Sequence, residues 1–230
     1  MVRIDHFNVM VSDVREVGAL LIEAGAKLVW DTDYPGCSCP GFSAGNINIA
    51  LLDPRSKTFM PYTPYHGDLG LWTIQFDPEQ STDHLIKYLD SKAIPRGESV
   101  PILDVPVEHE LPGAPEQIFS CIKVDLLDAP GCGANYIEYL KPFPSLGKVY
   151  DDTKLQFVEF ELGVEDVQSA VEYYKKVFDM DPSADNVFTL GNTPFRIVKG
   201  TLPFIVLKAD GVSSEIKEAI SKKAPGIKFQ

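Results

Sequence analysis

Alternating apolar and polar positions open the chain. Over residues 3–11 (Arg3-Ile-Asp-His-Phe-Asn-Val-Met-Val), Phe7, Val9 and Val11 fall on one face and Ile4, His6, Asn8 and Met10 on the other. A period of two predicts a half-buried strand whose two faces differ in chemistry. The period then changes. Asp13 and Glu16 have the spacing of a helix N-cap with a reciprocal carboxylate, and Val14, Val17, Leu21 and Ala24 mark a buried helical stripe that Gly25 ends. Strands are predicted at 26–32 and 46–52, the second closing on Asp53-Pro54, with a Pro/Gly/Cys loop at 35–41 between them.

The same order recurs further along. A strand at 69–77 leads to a helix at 81–92 whose apolar side is Leu85, Ile86 and Leu89, and strands follow at 119–127 and 134–140. Residues 46–54 and 134–142 align without gaps, each closing on a proline. Residues 100–117 hold four prolines and the mixed-charge run Glu108-His109-Glu110, which predicts a long loop or lid. A Pro/Gly/Ser/Asp linker at 143–153 then separates a third copy: a strand at 155–164 and a helix at 166–178 with Val167, Ala170, Val171, Tyr174 and Phe178 inward. Short strands at 187–190 and 195–199 flank the turn Gly191-Asn192, and a strand at 202–207 with a helix at 213–223 forms a truncated fourth copy. The organisation expected is therefore paired modules over 1–148 (1–65 and 66–148), followed by a third module and the truncated unit over 152–230.

Composition narrows the function. With 44% apolar residues among 230, the chain can bury a large core. Asp and Glu outnumber Lys and Arg by 33 to 21, a net charge of −12 with no basic cluster, so nucleic acid and anionic membrane are poor partners. No apolar run has the length of a membrane span, and Met-Val-Arg-Ile-Asp is not a secretory leader, so a cytoplasmic location is expected. Cys37, Cys39, Cys121 and Cys132 lack zinc-knuckle spacing and read as structural thiols. Neither a Gly-rich phosphate loop nor a Gly-x-Ser-x-Gly elbow occurs.

A strand, a helix and three further strands, used repeatedly, is the module of the vicinal oxygen chelate superfamily. The opening Ile4-Asp5-His6-Phe7-Asn8-Val9 with Ser12-Asp13-Val14 resembles its signature. The closer resemblance is to the glyoxalase-like domain family, where two modules precede a shorter segment ending much like Leu190-Gly191-Asn192-Thr193-Pro194-Phe195-Arg196-Ile197-Val198. The resemblance implies an α+β fold of repeated βαβββ modules, with curved, cup-like mixed sheets and helices outside. It also implies a divalent metal or a ligand held by inward-facing residues of first and last strands.

Carried over residue by residue, His6 stands at the first metal histidine and Glu138 at the last-strand glutamate, where it would also move a proton. Leu71 and Ala50 occupy the two other ligand positions, and His66 is the nearest candidate for a third ligand. Glu159 and Glu161 alternate with Val158, Phe160 and Leu162, as on a solvated sheet face. Two readings follow for the partner, a small oxygen-rich organic molecule. One is a metal-dependent lyase, isomerase, ring-cleaving dioxygenase or hydrolase. The other, which Leu71 and Ala50 favour, is a metal-free sequestering protein of the bleomycin-resistance type. A filled cup would instead mark an interaction module, and pairing of modules between chains leaves a homodimer open.

Overall fold

The computed structural model describes residues 2–31, 33–34, 37–53, 69–107, 117–141 and 153–230, with backbone alone at 33–34, 37–38, 104–107 and 117–119. The first repeat comprises β1 (Arg3–Met10), α1 (Val14–Glu23), β2 (Lys27–Trp30), the two-residue strands β3 (Asp33–Tyr34) and β4 (Cys37–Ser38), β5 (Gly41–Ala44) and β6 (Ile47–Leu52). The second comprises β7 (Gly70–Asp77), α2 (Thr82–Ser91), β8 (Arg96–Val107), β9 (Gln117–Leu126) and β10 (Gly133–Lys141). Then follow β11 (Leu155–Val164), α3 (Val167–Phe178), β12 (Val187–Leu190), β13 (Thr193–Lys199), β14 (Phe204–Ala209), α4 (Ser214–Lys223) and β15 (Ile227–Phe229).

Both repeats join one curved eight-stranded sheet in the order β2-β5-β6-β1-β7-β10-β9-β8. The first strands, β1 and β7, meet antiparallel at its centre, and each pairs in parallel with the last strand of its own repeat, β6 or β10. The remainder repeats the plan in shorter form, as a curved five-stranded sheet β12-β13-β11-β14-β15 with β11 and β14 antiparallel at its centre. Helix starts follow the sequence. Asp13 accepts from Arg15 and Glu16 backbone N–H groups, and Asp166 accepts from Ser169.

One face of the large sheet carries the core. Phe7 lies 5.1 Å from Phe160 and 5.9 Å from Phe157, and Phe76 lies 5.3 Å from Phe178, all measured between ring centres. A single apolar cluster runs from Val2 to Ile227 and includes Val17 and Leu21 of α1, Leu85 and Leu89 of α2 and Tyr174 of α3. Each such fully buried side chain contributes about 1.5–3 kcal/mol of transfer free energy. The helices and the smaller sheet therefore cover this outer face, leaving the other face of the eight strands to a different chemistry.

Three expectations change. The segment read as a loop or lid at 100–117 is strand up to Val107 and again from Gln117. Val100, Ile102, Val105 and Val107 supply strand-forming residues, and Pro101 and Pro106 are tolerated because β8 is the edge strand. Residues 108–116, with Glu108-His109-Glu110, lie outside the described residues. Ile4, placed with His6 by simple alternation, belongs to the core cluster with Phe7. The cause is Asp5: Ile4 pairs with Phe76 and His6 with Gln75, so Asp5 is one extra residue in β1. Finally, the short strand β15 beside β14 has too few residues for a sequence pattern.

Among the described residues no helix is long and apolar enough to cross a membrane.

Candidate functional site

Bulged out of β1, Asp5 turns toward the side chain that follows it. Its carboxylate lies 2.6 Å from His6 Nδ1 and accepts a 2.9 Å hydrogen bond from the hydroxyl of Tyr139 on β10. Both members of the pair are largely enclosed, His6 at 12% and Asp5 at 9% side-chain exposure. Trp30 of β2 closes one side, its ring 5.8 Å from the imidazole in edge contact. Burial, reinforced by the Asp5 carboxylate, pushes the Tyr139 hydroxyl well above its ordinary range, which keeps it a proton donor.

His6 stands on a polar rung that crosses the sheet. It is in register with Asn48 of β6 and Gln75 of β7, Gln75 with Asn135 of β10, and Asn135 with Asp125 of β9. One step along, Thr73 accepts from Asn8 Nδ2 at 2.8 Å and from Gln75 Nε2 at 3.3 Å, which fixes these side chains on one face. The far end carries an enclosed ion pair, Lys123 to Asp125 at 3.0 Å. Met10, Trp30, Ala50, Leu52 and Ile137 are buried but stand outside the apolar cluster of the outer face. A mixed wall of apolar side chains with a few convergent polar groups is the usual make-up of a small-molecule site.

The structure does not bring Glu138 to His6. Pairing of β10 with β9 is regular from Ala134 to Tyr139, so Glu138 and Tyr139 point to opposite faces. Tyr139 reaches Asp5, whereas Glu138 accepts from the backbone N–H of Thr82 at 2.7 Å and from its hydroxyl at 2.5 Å, at the start of α2 on the outer face. A carboxylate there satisfies an orphan N–H and complements the helix dipole. His66 lies outside the described residues. Leu71, the position matched to His6 in the second repeat, pairs with Val9 beyond an irregularity at Trp72 and packs against the core. Ala50 pairs with Asn8. Among the described residues no three His, Cys, Asp or Glu side chains group in a way that could hold a metal ion.

The remaining candidates take structural roles. Glu159 accepts from Arg196 at 2.9 Å and Glu161 pairs with Lys228 at 2.5 Å. Cys121 and Cys132 are free thiols, and burial drives both upward, away from the reactive thiolate.

Sequence reading missed Asp5, Tyr139, Asn48, Gln75 and Asn135. A signal for three of them was present: a carboxamide between apolar neighbours in Ile47-Asn48-Ile49, Ile74-Gln75-Phe76 and Ala134-Asn135-Tyr136. An amide recurring at one position of apolar strands marks a polar line across a sheet.

No family model and no curated protein matches the chain. Solved structures do match it in fold. A hypothetical protein from Staphylococcus aureus superposes with a TM-score of 0.67 at 13% identity, covering 93% of this chain and 94% of that one. A triple mutant of 4-hydroxymandelate synthase from Streptomyces coelicolor gives 0.54 at 10% identity, covering 96% of this chain and 74% of that one. A catechol 2,3-dioxygenase gives 0.51 at 11%, covering 96% and 78%. The last two have folds of the vicinal oxygen chelate type. The chain thus shares a mixed α+β fold with curved sheets with these structures.

Proposed function

We propose that this protein binds a small organic molecule on the inner face of its eight-stranded sheet, without a chelated metal, and that His6 accepts a proton from that molecule. The observation that carries the reading is the 2.6 Å contact between Asp5 and His6 Nδ1. A carboxylate at Nδ1 selects the tautomer with its hydrogen there, leaving the Nε2 lone pair for a ligand, and balances the imidazolium that forms on protonation. Among the described residues, the His6 imidazole makes no other hydrogen bond. The proton taken by Nε2 returns to another atom of the same molecule, so the step needs no co-reactant.

A His6–Glu138 chelate is the alternative that the superfamily suggests, and the donor set argues against it. Glu138 is committed to Thr82 on the outer face, and the residues in register with His6 are the neutral amides Asn48 and Gln75. Carboxamides are poor substitutes for the imidazole and carboxylate donors of transition-metal sites.

The experiment has two stages. A molecule retained through purification is identified by mass spectrometry, then incubated with the protein in deuterated water. Deuterium should appear at one position of the molecule with the parent and not with His6→Gln. An unlabelled molecule with the parent would contradict proton transfer and leave a sequestering protein, a reading also compatible with the neutral amide wall.

A further inference from the structure

Strands β3 and β4 form a hairpin of two residue pairs, Asp33 with Ser38 and Tyr34 with Cys37, on an excursion from the edge of the large sheet. The excursion leaves and returns at adjoining positions, because Trp30 of β2 and Gly41 of β5 are in register. Both ends are fastened. Asp31 accepts a 2.6 Å hydrogen bond from the Arg15 guanidinium of α1, and the Pro40 carbonyl accepts from the Leu51 N–H of β6 at 2.9 Å. Between these anchors, Cα atoms of β3 come within 8 Å of β8, and those of β4 within 8 Å of β6.

That pair of contacts fixes where the hairpin lies. β6 and β8 are five strand steps apart in the sheet order, about 24 Å in a flat sheet, whereas the two strands of a hairpin are about 4.8 Å apart. One short hairpin touches both only where the sheet curls its two arms toward each other and the hairpin spans the gap. Trp30, the last residue of β2, gives the side: its ring lies 5.8 Å from His6 on the inner face. On that face the rung is shut off from solvent, with the His6 side chain 12% exposed, Asn48 6%, Gln75 5% and Asn135 0%. A ligand therefore reaches His6 only after something moves.

We propose that the β3–β4 hairpin is a strap across the inner face, and that its swing about the anchors at Asp31 and Pro40 admits and releases the ligand of His6. The proposal rests on the inner face being the ligand site. Two register pairs are too few to hold a hairpin by themselves, so the strap sits at the low end of the opening free energies within the fold. β1 and β7, paired on both sides at the sheet centre, sit at the high end. Closure over a bound molecule then excludes water from the imidazole and from the Asp5 carboxylate that orients it.

Diethyl pyrocarbonate, which transfers an ethoxyformyl group to a neutral imidazole nitrogen with release of ethanol and carbon dioxide, reports access to His6. Exposed His84 on α2 is the internal reference. The full chain is compared with a variant in which residues 32–39 are replaced by Asn-Gly, a four-residue hairpin loop that keeps Asp31 and Pro40. By peptide mass spectrometry, His6 should react at least about tenfold more slowly than His84 in the full chain and within about threefold of it in the variant. Equal rates for the two histidines in the full chain, or a slow His6 in the folded variant, would overturn the strap. If the variant does not fold, the full chain decides. Amide exchange at β3 and β4 and modification of His6 should then share an opening insensitive to urea below the unfolding midpoint, and a His6 rate that follows global unfolding overturns the proposal. Native mass spectrometry reads the site separately. A retained molecule that leaves faster from the variant supports strap and site together, and one that leaves no faster, with His6 still slow, overturns the strap and keeps the site. No molecule in either protein, with His6 unmasked in the variant, overturns the ligand site and leaves the hairpin as a cover alone.

Discussion

The Tyr139 hydroxyl donates to the Asp5 carboxylate at 2.9 Å, joining residues 134 positions apart. The contact ties the last strand of the second repeat to the first strand of the first, across β7. It also places a neutral donor on the carboxylate that holds His6. A side chain needed to orient a base is thus itself held from two sides.

Tyr139→Phe removes that donor and leaves a nearly buried carboxylate oxygen with one partner fewer. The variant should lose about 1–3 kcal/mol of stability in urea denaturation. The 15N shifts of the His6 ring should also spread between tautomers. Unchanged stability together with an unchanged His6 spectrum would show that the contact is incidental.

Glu138→Ala tests the role assigned to the outer face. Loss of the carboxylate at Thr82 should cost about 1 kcal/mol and leave retention of the organic molecule intact. If retention is lost while the fold is kept, Glu138 belongs to the inner site after all.

Alkaline pH should destabilise the protein, and the sign follows from burial. Burial pushes the Cys121 thiol from 9.0 up to about 12, with Asp5 adding to the shift and Lys123 opposing it. Burial likewise takes the Tyr88 hydroxyl from 10.0 up to about 12. For both groups the folded chain holds the proton more tightly. Their contribution is complete below the unfolded values and is lost as pH rises through the folded ones. Urea midpoints should therefore fall steadily between about pH 9 and pH 12, and less steeply in Cys121→Ala. A midpoint that rises over this range would contradict the burial of these groups.

Gly41 stands in register with Trp30, and a Cβ there would lie 2.0 Å from the indole ring. Gly41→Ala should displace the ring that flanks His6, seen as a shift of tryptophan emission with loss of ligand retention. An unchanged emission spectrum with ligand retention kept would show that the indole stays in place and would contradict the close Gly41–Trp30 contact.

Much of the architecture was legible in the chain. The strand-then-helix order, the cap at Asp13, and the stripe Val167, Ala170, Val171, Tyr174 and Phe178 are local signals, and the structure follows them. His6 on the strand face opposite Phe7 was legible for the same reason. The rest depended on register. One extra residue at Asp5 moves Ile4 to the core and brings a carboxylate beside His6. Leu71 is displaced by a second irregularity, at Trp72. For Glu138 the gapless match to Ala50 gave no indication of the face, because β10 sets Glu138 and Tyr139 on opposite sides. Bulges and pairing offsets arise from contacts between distant segments, and a single strand's pattern does not carry them.

The central claim is an inner face that engages an organic molecule through His6 and amides without a chelate. It is tested most directly by native mass spectrometry and metal analysis of protein purified without chelators, alongside His6→Ala and Glu138→Ala. The account expects no stoichiometric metal in the parent, and an organic adduct that His6→Ala loses or weakens and Glu138→Ala keeps. One equivalent of a divalent metal in the parent, lost in both variants, would contradict it.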